Sequence, residues 1–415
     1  MPDFAQSGPV TTIHDLGTID RDELESKLND AAAGYPIGLV LPVTASDMRS
    51  EPFAQILDQL ASATFLRSIV VVLNRAPDVA DYIQTVEMLG RLGDHAQVLW
   101  TDGPRVDALL QELIAEDFAV STPGKGRAVW MAFGYLLADP KIEAYVLHDC
   151  DIVDYDREIL MRLCLPMAHA SLDFDFCKAY YARCTDRMHG RVVRLLVTPL
   201  LQALISVMGH DPYLEFLSSF RYPLAGEFAV TARLARSNRI PSDWGLEVGT
   251  LAEVYRNASQ KRVCQVDLGR LYEHKHQPLS LEDPKKGLMK MVGDILASVV
   301  RTLASQGVVF TRGHFISIRA AYMRAAQDAI RQYHADALMN NLQFDRHSEE
   351  QAIEGFAELI TNTGETVYDD PSGFAAMPTW TRVIAAIPDF PRRLREAAAA
   401  DRHEHDAAAT GAAGG

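Results

Sequence analysis

The sequence predicts an α/β protein: a mostly parallel, Rossmann-like sheet followed by a helical C-terminal region. Continuous apolar runs at residues 37–42, 68–74, 96–100 and 144–148 alternate with helical patterns over the first half of the chain. Strands that are apolar on both faces belong to sheets covered on both sides, which is how parallel sheets are built. From about Gly287 the pattern changes, and residues 288–303, 316–338 and 349–359 keep helical spacing with little strand character.

Residues 37–42 form a short strand ended by Pro42, and Phe53, Ile56, Leu57 and Leu60 then mark one face of a helix. The β-branched run 68–74 reads as a central strand, residues 78–92 as a helix and 96–100 as the next strand. A helix over 127–138 precedes the strand at 144–148. The longest apolar stretch, residues 195–208, is interrupted by Thr198, Pro199 and Gln202 and is too short to span a bilayer, so it reads as a core helix. The expected division is an N-terminal extension over residues 1–35 and a sheet domain over 36–285, whose first part ends near 152 and whose second begins at 153. A helical region over 286–394 follows, then an Ala/Gly-rich tail over 395–415 that is expected to be disordered.

With 415 residues and 48% hydrophobic content, the chain can build one large domain and a smaller one. A net charge of −15 argues against general nucleic-acid binding or attachment to an anionic membrane. The five cysteines (Cys150, Cys164, Cys177, Cys184 and Cys264) form no CxxC pair, which points to reduced thiols rather than to a zinc site or a disulfide framework. The first residues have neither a basic start nor an apolar core, so no signal peptide is expected. A soluble cytoplasmic protein is expected.

The chemistry begins where the fourth strand gives way to a loop, at Asp149-Cys150-Asp151. Two carboxylates one residue apart make a hard, oxygen-only site that suits a divalent cation gripping a diphosphate. Enzymes that break a bond to a nucleoside diphosphate need such charge neutralisation. Upstream, Pro123-Gly124-Lys125-Gly126-Arg127 opens a helix and offers free backbone N–H groups beside a cation, a place for phosphate oxygens. It lacks the upstream glycine and the Ser/Thr of a Walker A loop. Three further segments stand out: Pro223-Leu224-Ala225-Gly226-Glu227-Phe228, Trp244-Gly245-Leu246-Glu247-Val248-Gly249, and His274 followed by Pro278-Leu279. Each alone has a bland account, as a turn, a helix-start carboxylate or a surface histidine.

Taken in order, these five elements resemble the glucosyl-3-phosphoglycerate synthase family, retaining glycosyltransferases of GT-A fold, over roughly residues 37–279. The resemblance implies that Asp149, Asp151 and His274 hold Mg²⁺ or Mn²⁺. It places Lys125 against the nucleotide sugar and Glu247 at the sugar hydroxyls, so that Glu247, Lys125 and Asp151 carry catalysis. The donor, UDP- or GDP-glucose, would contact Pro42, Val43, Thr44, Asn74, Lys125, Asp149 and Cys150. The acceptor, 3-phosphoglycerate or D-glycerate, would contact Gly190, Arg191, Gly226 and Glu227. A homodimer through the helices after Gly287 is also implied.

Three departures stand against the family pattern. Val43-Thr44-Ala45-Ser46 replaces the usual Ala-Leu-Asn-Glu, Asn74-Arg75 replaces Asp-Ser, and Val193 replaces a threonine of the acceptor segment, with Arg194 the candidate to take its place. These changes keep other donors open, among them a mannosyl donor, and other small hydroxy acids as acceptors. A sugar-1-phosphate nucleotidyltransferase would need a Gly-rich basic loop after the first strand, which residues 42–47 lack. A catalytically silent nucleotide-sugar binder would have no chemical need for the whole set Asp149, Asp151, Glu247 and His274.

Overall fold

The computed structural model describes residues 6, 8–153, 155–270, 283, 286–371 and 376–413. Within them one sheet holds eight strands: β1 (Thr11–Ile13), β2 (Ile37–Thr44), β3 (Leu66–Asn74), β4 (Ala96–Trp100), β5 (Ala144–Leu147), β6 (Phe176–Ala182), β7 (Phe228–Thr231) and β8 (Val263–Arg270). Their order across the sheet is β1-β8-β6-β7-β5-β2-β3-β4. Neighbours run parallel except around β7, which is antiparallel to both β5 and β6. The expected mostly parallel sheet is thus present.

The central strands are buried on both faces because their residues alternate between two cores. Val40, Val70 and Val72 point into one, and Leu39, Leu41, Ile69, Val71 and Leu73 into the other. The helix Glu51–Leu60 buries Phe53, Ile56, Leu57 and Leu60, the four positions its spacing selects, and Ser50 caps its first turn.

Two expectations at the chain ends are corrected. The expected N-terminal extension over residues 1–35 is, over its described residues 8–35, no appendage: β1 pairs with β8, and the helix Arg21–Gly34 sends Leu24 and Leu28 into the second core. Residues 395–413 of the expected tail belong to a helix, Phe390–Ala413, in which Leu394 and Ala398 are buried. Composition suggested disorder there, but a small residue such as Ala398 lets the helix lie close against the sheet. Gln97 of β4 donates to the Ala398 carbonyl at 3.1 Å, and Arg105 pairs with Asp401.

The helices Gly287–Ser305, Arg312–Met339 and Arg346–Asp369 match the expected helical region. The stretch read as a core helix is interrupted by a π turn, Val193–Val197, leading into the helix Thr198–Met208. Pro199 accounts for it, having no N–H to give to the Leu195 carbonyl. The buried Tyr322 hydroxyl of Arg312–Met339 donates to that carbonyl at 2.6 Å, which ties the helical region to the sheet domain. A second tie is the stack of Trp380 on Trp130, with ring centroids 4.3 Å apart. Trp380 Nε1 also donates to the Trp130 carbonyl at 2.9 Å. Tyr322→Phe would leave the Leu195 carbonyl buried without this donor. Its unfolding free energy in urea is expected to fall by about 1–3 kcal/mol, with the m-value unchanged.

Candidate active site

A cavity of about 1180 Å³ opens beyond the carboxyl ends of the parallel strands, where open α/β sheets bind ligands. Pro42, Thr44 and Asn74 line one end, Asp149, Cys150 and Asp151 the middle, and Gly190 and Arg191 the far side. The helical region contributes wall residues too, including Met291, Phe344 and Glu349.

At the centre stands Lys125, the first residue of the helix Lys125–Leu137. Its Nζ lies 2.6 Å from Asp149 Oδ1 and 3.2 Å from Glu247 Oε1. Burial would push this ammonium down, but Asp149 and Glu247 outweigh it and hold it above its ordinary value. The flanking glycines serve close approach. A Cβ on Gly126 would sit 1.8 Å from the Pro241 carbonyl oxygen, and one on Gly124 2.3 Å from that of Ser242. Gly249 meets Pro241 in the same way, with a Cβ 2.3 Å from its ring. The 241–242 backbone therefore packs between the two glycine motifs and brings Glu247 to Lys125. Gly226 does the same for the carboxylate, since its Cβ would lie 2.5 Å from Asp149 Oδ2.

Asp151 is pushed up to about 6, first by burial and then by the neighbouring Asp149. Crowded carboxylates with an all-oxygen donor set are what a hard divalent cation would relieve, so the residues present fit Mg²⁺ or Mn²⁺. Among the described residues no cluster of three or more His, Cys, Asp or Glu is gathered to hold a metal. His274 lies outside the described residues.

The remaining expected positions divide. Pro42, Thr44, Asn74 and Cys150 reach the cavity wall. Asn74 donates to the Val43 carbonyl at 2.9 Å, and Thr44 caps the short helix Ala45–Met48. The Val43 side chain points instead into the second core, because strand alternation turns it away from its neighbours. Glu227 is fully buried beneath the floor rather than open to it, accepting from the Tyr181 hydroxyl at 2.9 Å. Gly226 does line the cavity, and Gly190 takes a left-handed φ of 71° just before Arg191.

Two residues escaped the sequence reading. Lys178, in the middle of β6, is fully buried, donates to the Ala225 carbonyl and lies 5.5 Å from the Phe228 ring centre. A lysine within an apolar strand was the available signal. Glu349 had none, since it reads as an ordinary residue of a helix first turn.

No protein-family model matches the chain. The glucosyl-3-phosphoglycerate synthase of Persephonella marina is 41% identical over 404 residues, 97% of this chain and all of that one. The chain belongs to the glucosyl-3-phosphoglycerate synthase family. The synthase of Methanococcoides burtonii is 40% identical over 95% of this chain and 97% of its own. Solved structures agree on the fold. The Mycobacterium tuberculosis glucosyl-3-phosphoglycerate synthase in complex with Mn²⁺, UDP-glucose and phosphoglyceric acid gives a TM-score of 0.53 at 23% identity, over 74% of this chain and 90% of that one. The mannosyl-3-phosphoglycerate synthase of Rubrobacter xylanophilus gives 0.54 at 22% identity, over 72% and 83%. The α/β architecture is therefore that of the family's GT-A domain, with its helical C-terminal region.

Burial pushes the Lys178 ammonium down to about 8, although Glu247 and Glu227 oppose the shift. The native state thus binds fewer protons than the unfolded chain between about pH 8 and 10.5, and stability rises with pH across that window, by roughly 3 kcal/mol for this group. Lys178→Met should flatten the rise, measured as denaturation midpoints of both proteins from pH 7.5 to 10.5.

Proposed function

We propose that the protein is a retaining glucosyltransferase that moves glucose from a nucleotide sugar, UDP- or GDP-glucose, to the hydroxyl of 3-phosphoglycerate. The observation that carries this reading is one cavity in which Lys125 stands between Asp149 and Glu247, with Arg191 on the far wall. Full-length similarity to glucosyl-3-phosphoglycerate synthases supports the same reaction.

Asp149 and Asp151 would hold Mg²⁺ or Mn²⁺, with His274 a further candidate ligand. A cation held there would supply neutralisation of the departing diphosphate. Lys125 adds a fixed positive charge beside the carboxylate pair, where negative charge develops as the glycosidic bond breaks. Glu247, on the first turn of the helix Leu246–Asn257, orients sugar hydroxyls. Arg191 receives the acceptor's anionic group, Gly190 shapes the turn before it, and Gly226 forms the floor. The acceptor hydroxyl attacks from the face of the leaving group, and its proton passes to a phosphate oxygen of the departing diphosphate. Pro42, Thr44, Asn74 and Cys150 border the nucleotide.

Glycerate is a second acceptor reading, favoured by Val193, which presents no hydroxyl to a phosphate. A cytoplasmic location is supported by five free cysteines, four of them buried, and no helix among the described residues is long and apolar enough to cross a membrane. A homodimer through the helical region is supported by the exposed apolar side chains Val309, Ile316, Leu338 and Met339. The sheet domain over 36–285 and the helical region over 286–394 are proposed as the functional division.

Nucleoside diphosphate release with Mg²⁺ or Mn²⁺, over UDP-, GDP- and ADP-sugars against 3-phosphoglycerate and D-glycerate, tests the proposal. Release that needs a glucose donor and 3-phosphoglycerate is expected, and Asp151→Ala should lower metal-dependent turnover by at least ~10²-fold. Near-normal turnover in that variant would remove Asp151 from the metal site, and no release with any pair would sink the transferase reading.

A further inference from the structure

The far wall of the cavity is built by a carboxylate that belongs to the helical region. Glu349 lies in the first turn of Arg346–Asp369 and is only 6% exposed. Its Oε1 accepts from Arg191 Nε at 3.0 Å, and its Oε2 accepts from Arg194 Nη1 at 3.1 Å. Ser348 Oγ accepts from Arg191 Nη2 at 3.2 Å.

The two arginines are not equivalent. Arg194 also donates from Nε to the His189 carbonyl at 3.0 Å and from Nη2 to the Met188 carbonyl at 3.4 Å, and it stacks 4.9 Å over the Tyr333 ring. It braces the loop before Gly190. Arg191 lines the cavity, and among the described residues its Nη1 has no partner. One carboxylate shared by two guanidiniums leaves this trio of side chains with a single net positive charge.

We propose that Glu349 is a positioning residue: it holds the Arg191 guanidinium in the orientation that receives the acceptor's anionic group, so that the helical region sets acceptor affinity. The inference rests on the reading of Arg191 as the acceptor contact. Two roles for Glu349 give opposite signs. Had it served only to offset charge, its removal would leave two bare cations and tighten an anion. As the part that aims Arg191, its removal loosens the acceptor, because a misdirected guanidinium loses its paired geometry.

The test compares wild type with Glu349→Gln at saturating donor. The acceptor KM should rise about tenfold or more, kcat should stay within about threefold, and the Kd for UDP by calorimetry should be unchanged. An acceptor KM that falls or holds steady overturns the proposal, as does a lowered Tm with no change in KM. Should Glu349→Gln fail to fold, Ser348→Ala touches only Arg191 Nη2, and it should raise the acceptor KM about threefold at unchanged Tm. No change there is equally fatal. If the wild type releases no nucleoside diphosphate with any anionic acceptor, the proposed function fails. Calorimetric binding of 3-phosphoglycerate to wild type and Glu349→Gln then decides the role of Glu349 by itself, with weaker binding to the variant expected and equal or tighter binding overturning it.

Discussion

Lys125 can stay charged within the cavity wall because two carboxylates from distant parts of the chain reach it. Asp149 comes from the end of β5 and Glu247 from the first turn of a helix nearly a hundred residues later. Neither contact could form if the backbones stood an ordinary distance apart. Gly124, Gly126 and Gly249 let the 241–242 segment press between the two motifs, and Gly226 lets the floor press against Asp149. The charge pattern of the site is thus a consequence of missing Cβ atoms. The same helix is braced from behind, where Gly134 leaves room for the Trp380 ring that a Cβ would meet at 2.1 Å.

The sheet was legible because burial on both faces leaves an unmistakable signature. Runs such as 68–74 have no polar side to hide, and the helix that follows β2 shows its apolar face at regular spacing. Motif order gave the site its centre, since Lys125, Asp149, Asp151 and Glu247 are chemistry-bearing residues in apolar or glycine-rich surroundings. What composition could not reveal was where a side chain faces. Val43 and Glu227 sit in the right segments, but strand alternation at one and burial beneath the floor at the other take them off the cavity surface. Glu349 was invisible for another reason. Its contacts span 155 to 158 residues, and no local pattern encodes a partner that far away.

The helical region also changes meaning once its contacts are known. Periodicity presents it as a bundle packed on a catalytic domain. Yet Tyr322 completes the backbone of the helix that starts at the acceptor wall, and Gln343 is tied to the loop before that wall through Arg187 at 2.8 Å and the Asp186 carbonyl at 2.8 Å. A surface that looks like support for the site is one of its sides.

At the opposite margin of the sheet, β4 is an edge strand, and unpaired edges template association between molecules. The helix Phe390–Ala413 lies along it, with the Gln97 side chain donating to the Ala398 carbonyl and the Arg402 side chain to the Ala96 carbonyl, each at 3.1 Å. The segment whose composition looks most dispensable is therefore a guard against self-association. A shortened chain ending near residue 394 would keep every residue of the cavity wall and still be the more dangerous molecule to concentrate, because it would carry an open β-edge into solution.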